Sequence, residues 1–350
     1  METKFYDGTK LLSLLDIDGN KPEIFICTSN RSAGKTTYFS RLCVNRFLKY
    51  GEKFLVLYRF KDELVDVADK FFKDINTLFF PNYTMTAVKR DKGSFMELFL
   101  AKGDDKPVSC GYSVALNTAD KVKKCSHLLS DTARIIFDEF QSETNNYCPR
   151  EFVKFISIHK SIARGGGQQS RYLPVIMISN PVSIINPYYT ALGIAERLTK
   201  QTKFLRGHGY VLEQGHNQAA ADAIKDSGFY RAVSENKYMD YVTEGKYLAD
   251  SDAFIEIPVG KSRYIMTIKF EDCYFAIREY PDAGVLFCDD RPDMTFPLKI
   301  AVTTEDHQIN YIMLRNSDLY IDRLRYFFEK GCFRFRNLRC KQALLTMISY

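Results

Sequence analysis

Long apolar runs, paired cysteines and clustered histidines are what this sequence has least of. No stretch reaches the roughly twenty consecutive apolar residues that a membrane helix requires. The opening METKFYDGTK has no apolar core of the kind a secretory signal carries. The expectation is a soluble chain made without export. Nine cysteines are scattered without one C-x-x-C spacing, which argues against a zinc site or a disulfide frame and predicts reduced thiols. The five histidines stand alone, none at metal-ligand spacing. The net charge is only +6, a mild basicity that permits nucleic-acid contact without requiring it. Disorder is excluded by a hydrophobic content of 45%, and 350 residues predict two domains.

What is present centres on Pro22 to Thr37, PEIFICTSNRSAGKTT. An apolar β-prone run (Ile24 to Cys27) leads into a loop of small residues, then Gly34-Lys35-Thr36-Thr37, then a helical stretch from Tyr38 to Lys49. Strand, loop and helix start in that order form a P-loop, a concavity of backbone N–H groups that holds a polyphosphate. Ser29, Asn30, Arg31, Ser32, Ala33, Gly34, Lys35, Thr36 and Thr37 are therefore the candidate nucleotide-binding residues. Lys35 is expected to reach the β and γ phosphates of ATP, and the Thr36 hydroxyl to ligate Mg²⁺. Ser29 stands where the G-x-x-x-x-G-K-[ST] pattern has its first glycine. Serine enters positive φ less readily, so the loop turns elsewhere or strains that residue.

A second segment supplies acids. Ala133 to Phe140, ARIIFDEF, reads as a buried parallel strand that delivers Asp138 and Glu139 to its C-terminal edge. Asp138 can hold Mg²⁺ or its water, and Glu139 can polarise the water that attacks the γ phosphate. Pro174 to Ser179 is the next buried strand. Asn180 at its tip either senses the γ phosphate or makes a structural turn before Pro181.

Along the chain, Lys53 to Phe60 reads as a strand that completes a β-α-β unit, and Asp62 to Phe72 as a helix. Tyr83 to Lys102 reads as a hairpin turning at Asp91 to Ser94, and Ser109 to Leu116 as a strand. Asn117 is expected to cap a short helix carrying Lys121, Lys123 and Lys124, a solvated face or a phosphate contact. Arg150 to Ala163 is helical. The Arg164 to Arg171 loop, with three glycines, offers two arginines to a neighbouring phosphate, and either could act as a trans finger in a ring. From Thr202 the rhythm changes. Gly207 to Gly209, followed by Gln214 to Asp226, reads as a connecting strand and helix. Ser251 to Tyr280 shows strand alternation of a separate β-rich domain. Asp289, Asp290 and Asp293 read as a turn before Pro292 rather than a metal site. The C-terminal stretch carries Arg323, Arg325, Lys330, Arg334, Arg336, Arg339 and Lys341 among Tyr326, Phe327, Phe328, Phe333 and Phe335. Rings in the core and a basic surface facing nucleic acid or a portal are expected.

These residues carry a resemblance. NRSAGKT at Asn30 to Thr36, RFLKYGEKFLVLYRFKDEL at Arg46 to Leu64, IIFDEF at Ile135 to Phe140 and ISNPVSIINPYY at Ile178 to Tyr189 resemble the DNA-packaging ATPases of phi29-like bacteriophages, compact relatives of terminase large subunits. Weaker similarity continues through FIEIP at Phe254 to Pro258. The resemblance implies an α/β ASCE-type P-loop ATPase domain over 1–203, a linker region over 204–250, and a C-terminal α+β domain over 251–350. That last domain is similar to an RNase H-like nuclease without its catalytic acids. It also implies catalytic roles for Glu139, for Arg31 as the P-loop arginine, and for Arg164 as the trans-acting arginine. The glycine insertion leaves the choice between Arg164 and Arg171 open. The implied activity is an ATP- and Mg²⁺-dependent motor, a homo-oligomeric and by resemblance pentameric ring. It drives double-stranded DNA into a procapsid at the portal vertex in the host cytoplasm, with a structural RNA as one means of portal attachment. A helicase or DNA translocase of another role, and a nucleotide-gated assembly protein without turnover, are the alternatives.

Overall fold

Strands that are apolar at every position, rather than at every second one, need a cover on both faces. The computed structural model describes residues 5–164, 169–195, 197–198, 202–248, 253–270, 272–314 and 318–348. It divides into two compact units, Met1–Ala249 and Asp250–Tyr350.

The first unit is built on strands β1 (Ile24–Thr28), β2 (Lys53–Tyr58), β3 (Tyr83–Arg90), β4 (Phe95–Lys102), β5 (Val108–Ala115), β6 (Thr132–Asp138), β7 (Val175–Ser179), β8 (Phe204–Gly207) and β9 (Tyr210–Gln214). They form one sheet in the order β3-β4-β5-β2-β6-β7-β1-β9-β8. From β5 to β9 the neighbours run parallel, while β3, β4 and β8 are antiparallel additions at the two ends.

The helices of this unit are α1 (Thr9–Ser13), α2 (Lys35–Tyr50), α3 (Val67–Phe79), α4 (Ala119–Lys124), α5 (Glu151–Ile162), α6 (Pro187–Ala191), α7 (Gln218–Lys225), α8 (Gly228–Val233) and α9 (Lys237–Glu244). Alternate residues of the central strands enter two cores. Phe25, Cys27, Val56, Ile136 and Ile178 pack with Phe39 of α2 and Phe71 of α3. Ile26, Leu57, Phe137 and Met177 pack with Phe155 and Ile158 of α5 and Tyr188 of α6. This doubly covered parallel sheet is the expected α/β class, and its C-terminal edge is where such folds bind ligands.

Three local expectations are corrected. Residues 204–214 are not a connector: β9 pairs with β1 over five residue pairs, from Ile24 with Tyr210 to Thr28 with Gln214. A parallel strand placed long after its partner leaves no local sequence signal, which is why the segment reads as a linker. Asn117 does not cap α4. It sits in a 3₁₀ turn, its amide donates to the Arg59 carbonyl, and the helix starts two residues later. The helix expected from Asp62 starts at Val67 after a 3₁₀ turn at Lys61–Leu64, because Asp66 adopts a left-handed φ of 56° that breaks the run. Of the glycine loop, Gly165, Gly166 and Gly167 lie outside the described residues.

The second unit holds β10 (Arg263–Phe270), β11 (Cys273–Tyr280), β12 (Val285–Asp289), β13 (Lys299–Ala301), β14 (Ile312–Met313) and β15 (Phe333–Phe335), with helices α10 (Asp318–Glu329) and α11 (Leu338–Ile348). Its sheet order is β14-β13-β10-β11-β12-β15. β10, β11 and β12 form an antiparallel meander, and β13 and β14 add in parallel beside β10. This mixed sheet with helices fits the α+β, RNase H-like expectation. One core joins Ile268, Ile277, Leu286 and Phe333 to Leu324 of α10 and Leu344 of α11.

Candidate nucleotide site

β1 ends at the sheet's C-terminal edge, and the chain then curls through Ser29 and Asn30, both buried, into α2. Ser29 is not in the left-handed region. The loop makes its positive-φ turns at Ser32 (57°) and Gly34 (91°), so the missing first glycine is accommodated by turning three residues later. Gly34 is the N-cap of α2, and the helix N-terminus opens directly behind it.

Lys35 is 6% exposed and folds back over this loop. Its Nζ donates to the Ser29 carbonyl (3.0 Å) and hydroxyl (2.9 Å), the Asn30 carbonyl (3.2 Å) and Asn180 Oδ1 (3.1 Å). All four acceptors are neutral. Burial therefore dominates and lowers its pKa to about 8. β7 lies beside β1, and this is how Asn180 at its tip reaches the lysine.

β6 brings the acids to the same edge. The Thr36 hydroxyl donates to Asp138 Oδ2 at 2.8 Å across 102 residues of sequence. The Glu139 amide donates to Asp138 Oδ1 at 2.9 Å, which fixes the carboxylate's rotation. Burial raises the Asp138 pKa against these hydrogen bonds and the Lys35 charge. Glu139 is raised too, by partial burial first and then by the negative charges of Asp138, Glu143 and Glu63. Two hard oxygen donors, the Thr36 hydroxyl and the Asp138 carboxylate, suit Mg²⁺, which takes one or two protein oxygens and keeps its waters.

Glu139 has a backbone φ of 53°, unusual for glutamate and costly unless enforced. Arg59, just past the end of β2 and 7% exposed, enforces it. Its Nη2 donates to the Glu139 carbonyl (3.2 Å) and the Phe140 carbonyl (2.7 Å), while its Nε is held by the Glu151 carboxylate at 3.0 and 3.1 Å. Tyr188 adds a hydroxyl bond to Glu151 at 2.7 Å. Sequence reading missed Arg59 and Glu151. A charged residue directly after the buried β2 run was the available signal.

Residues 204–248 wrap the loop. Asn30 Oδ1 accepts the Asn217 amide (2.8 Å) and its Nδ2 donates to the Asn217 carbonyl (3.0 Å). The Arg31 amide donates to the Val242 carbonyl in α9, and its guanidinium meets the Tyr238 hydroxyl (2.8 Å) and Glu143 (3.2 Å). Gly245, at a φ of 65°, passes so close that a Cβ would lie 3.4 Å from the Asn30 nitrogen.

The two loop arginines differ. α5 starts at the nucleotide edge, where Glu151 meets Arg59, and runs back to the far edge, where the His159 ring contacts the Leu173 carbonyl. At about 1.5 Å per residue, its 12 residues carry Arg164 roughly 18 Å from that edge. Arg164 is exposed. Arg171 turns inward, its amide and guanidinium donating to the Ala163 and Ile162 carbonyls. Thr37 sits half-buried in the first turn of α2 and Ser32 is exposed on the loop.

The second unit corrects one expectation. Phe333 and Phe335 are core, as expected, but Phe327 and Phe328 are only partly buried, Tyr326 is exposed, and most of the basic residues around them are internally bonded. Arg336 pairs with Asp290, Arg334 with Glu256, Arg325 with Asp322, and Lys341 donates to the Ala253 carbonyl. Glu256 and Asp290 come from distant sequence, so a local count of charge overstates the outward-facing basic surface. Asp289 is bound to Arg278 at 2.7 Å, and its other oxygen accepts the Arg291 amide, a turn bond. Among the described residues no helix is long and apolar enough to cross a membrane.

Comparison with known proteins adds context. Residues 2–348 match the family model described as Podovirus DNA encapsidation protein (Gp16). The DNA packaging protein of Bacillus phage phi29 is 23% identical over 337 residues, covering 95% of this chain and 93% of the relative. That of Bacillus phage B103 is 25% identical over 324 residues, covering 91% and 93%. A chain of the bacteriophage Phi-29 viral genome packaging motor assembly shares the fold, with a TM-score of 0.67 at 22% identity over 99% of this chain and 98% of that one.

Proposed function

The chain belongs to the podovirus DNA encapsidation protein family, and from that premise we propose that it is the ATP-hydrolysing subunit of a ring that drives double-stranded DNA into a procapsid. The observation that carries this reading is the meeting of two distant segments: Thr36 bonds Asp138 while Lys35 bonds Asn180, at one sheet edge. In this reading Lys35 leaves its loop carbonyls for the β and γ phosphates, and Ser29 to Thr37 line the cradle. Mg²⁺ held by Thr36 and Asp138 would supply charge neutralisation of the phosphate oxygens. Glu139 orients the attacking water and takes its proton, a role for which a raised pKa suits a carboxylate at neutral pH.

Arg31, tied to α9, reports the loop's state to residues 204–248. Arg164 acts on the neighbouring subunit's γ phosphate, because its own site lies at the opposite sheet edge. Its exposure favours it over Arg171, which is committed to the end of α5. We place the boundaries at 1–248 for the ATPase unit and 253–348 for the C-terminal unit. The ring, pentameric by resemblance, acts at the portal vertex in the host cytoplasm. Ribonuclease treatment of the assembled motor separates direct portal docking from docking through a structural RNA.

The test is ATP turnover with and without duplex DNA. Wild type is expected to be DNA-stimulated, and Glu139→Gln to lose about 10²- to 10⁴-fold in turnover while still binding ATP. Undiminished DNA-stimulated turnover in Glu139→Gln refutes the mechanism. Binding without turnover in wild type would mark a nucleotide-gated assembly protein instead.

A further inference from the structure

The phosphate cradle has a direction. Asn180 and Asp138 stand on β7 and β6, on one side of β1, so the terminal phosphate lies toward them and the nucleoside extends to the other side, toward β9. A cavity of about 430 Å³ lies there, bounded by the P-loop residues Ser29 and Ala33, by Phe5 and Tyr6 before α1, by Lys203, by Glu213 near the end of β9 and by Asn217 at the N-cap of α7. That volume is in the range of small-ligand pockets.

Its walls carry specific chemistry. Glu213 is only 7% exposed, and its Oε2 accepts the Tyr6 hydroxyl at 2.6 Å, leaving the carboxylate with further acceptor capacity. Tyr6 is fixed by an edge contact with Tyr38, ring centroids 5.7 Å apart, and its amide donates to the Ala33 carbonyl. Phe5 lies over Gly34, where a Cβ would come within 3.3 Å of its ring, and is 48% exposed. The cavity thus has an exposed aromatic face at its mouth and a buried carboxylate in its wall.

We propose that this cavity seats the purine of the nucleoside triphosphate, with Phe5 available to stack on the base and the Glu213 carboxylate accepting the 6-amino group of adenine. This rests on the P-loop reading above and extends it to which base is read. Guanine places a carbonyl oxygen at position 6, so its lone pairs would face those of the buried Glu213 carboxylate. Discrimination against GTP follows from that repulsion.

The experiment measures binding of ATP, GTP and inorganic tripolyphosphate to the full-length chain by competition with a fluorescent ATP analogue. Wild type is expected to prefer ATP over GTP about tenfold or more. Glu213→Gln, whose amide can turn its N–H toward a carbonyl, narrows the preference to within about threefold. Tyr6→Phe, which removes the partner of the carboxylate but not the carboxylate, retains the preference. Ala219→Trp, at the start of α7 on the cavity wall, weakens ATP about tenfold or more and leaves tripolyphosphate unchanged, which also shows that the variant is folded. An unchanged ATP/GTP ratio in Glu213→Gln, or equal loss of ATP and tripolyphosphate in Ala219→Trp, overturns the base seat while the phosphate site stands. If wild type binds none of the three, both readings fall together.

Discussion

Each unit buries a lysine, and the two are treated oppositely. Lys35, 6% exposed, is surrounded by neutral carbonyls, a hydroxyl and an amide, and burial lowers its pKa to about 8. Lys269, 3% exposed, also loses solvation, but a hydrogen bond to Asp272 and the charges of Tyr274, Asp272 and Asp306 raise its pKa overall. The acids divide in the same way. Asp138 and Glu139 share an edge where burial raises both and the Asp138 charge raises Glu139 further, whereas Asp289 and Asp290 are each bound to an arginine. At the nucleotide edge of the first unit Lys35 and Glu139 lack a directly bonded counter-charge, whereas these charges of the second unit are paired within it. Uncompensated charge in a fold is a cost, tolerated where a ligand completes the balance.

The contrast can be broken by four measurements. The largest effect is expected from Arg164→Ala, whose turnover falls about 10³-fold or more with ATP affinity kept, since a trans finger acts only on the transition state. Mixing it with Lys35→Ala should restore part of the rate, and an additive mixture would place the arginine outside the site. Arg59→Met comes next. It leaves Glu151 buried without its partner and releases Glu139 from its enforced turn, at a cost of about 3–5 kcal/mol in denaturant unfolding. A loss within the range of a surface substitution would deny Arg59 that role.

Third is the pH dependence of ATP affinity. The proton leaves Lys35 near pH 8 in the free protein but is held more tightly beside an anionic phosphate. Affinity is therefore flat below pH 8 and falls up to about tenfold per unit above it, as competition binding between pH 7 and 9.5 would show. A flat profile would mean that the buried lysine is not coupled to the phosphate. The smallest effect is expected in the other unit: Asp289→Asn costs about 1–2 kcal/mol through the Arg278 bond and leaves turnover unchanged. Wild type is expected to show no Mg²⁺- or Mn²⁺-dependent DNA cleavage, and cleavage lost in Asp289→Asn would turn this turn-forming acid into a nuclease ligand.

The parts legible in the sequence were those set by short spacing. Gly34-Lys35-Thr36 follows an apolar strand, Asp138-Glu139 ends another, and Asn180 ends a third, so the edge could be assembled from runs and their tips. Partners brought from far along the chain were not legible. Arg59 is held by Glu151 across 92 residues, and the C-terminal arginines by acids on other elements. Residues 204–214 showed only a change of rhythm, although β9 pairs with β1 along its full length. A pattern reading sees the period of a segment but not its neighbour.

That pairing decides where this protein can be shortened. Cutting after residue 203 would strip β1 of one of its two flanking strands and leave Ile24–Thr28 as an open parallel edge, a template for aggregation. It would also remove Asn217, Tyr238 and Val242, the groups that clasp Asn30 and Arg31. A fragment that keeps the β9 pairing and these clasping contacts extends beyond Gly245, and a graft or fusion point that spares them lies on the far side of that glycine.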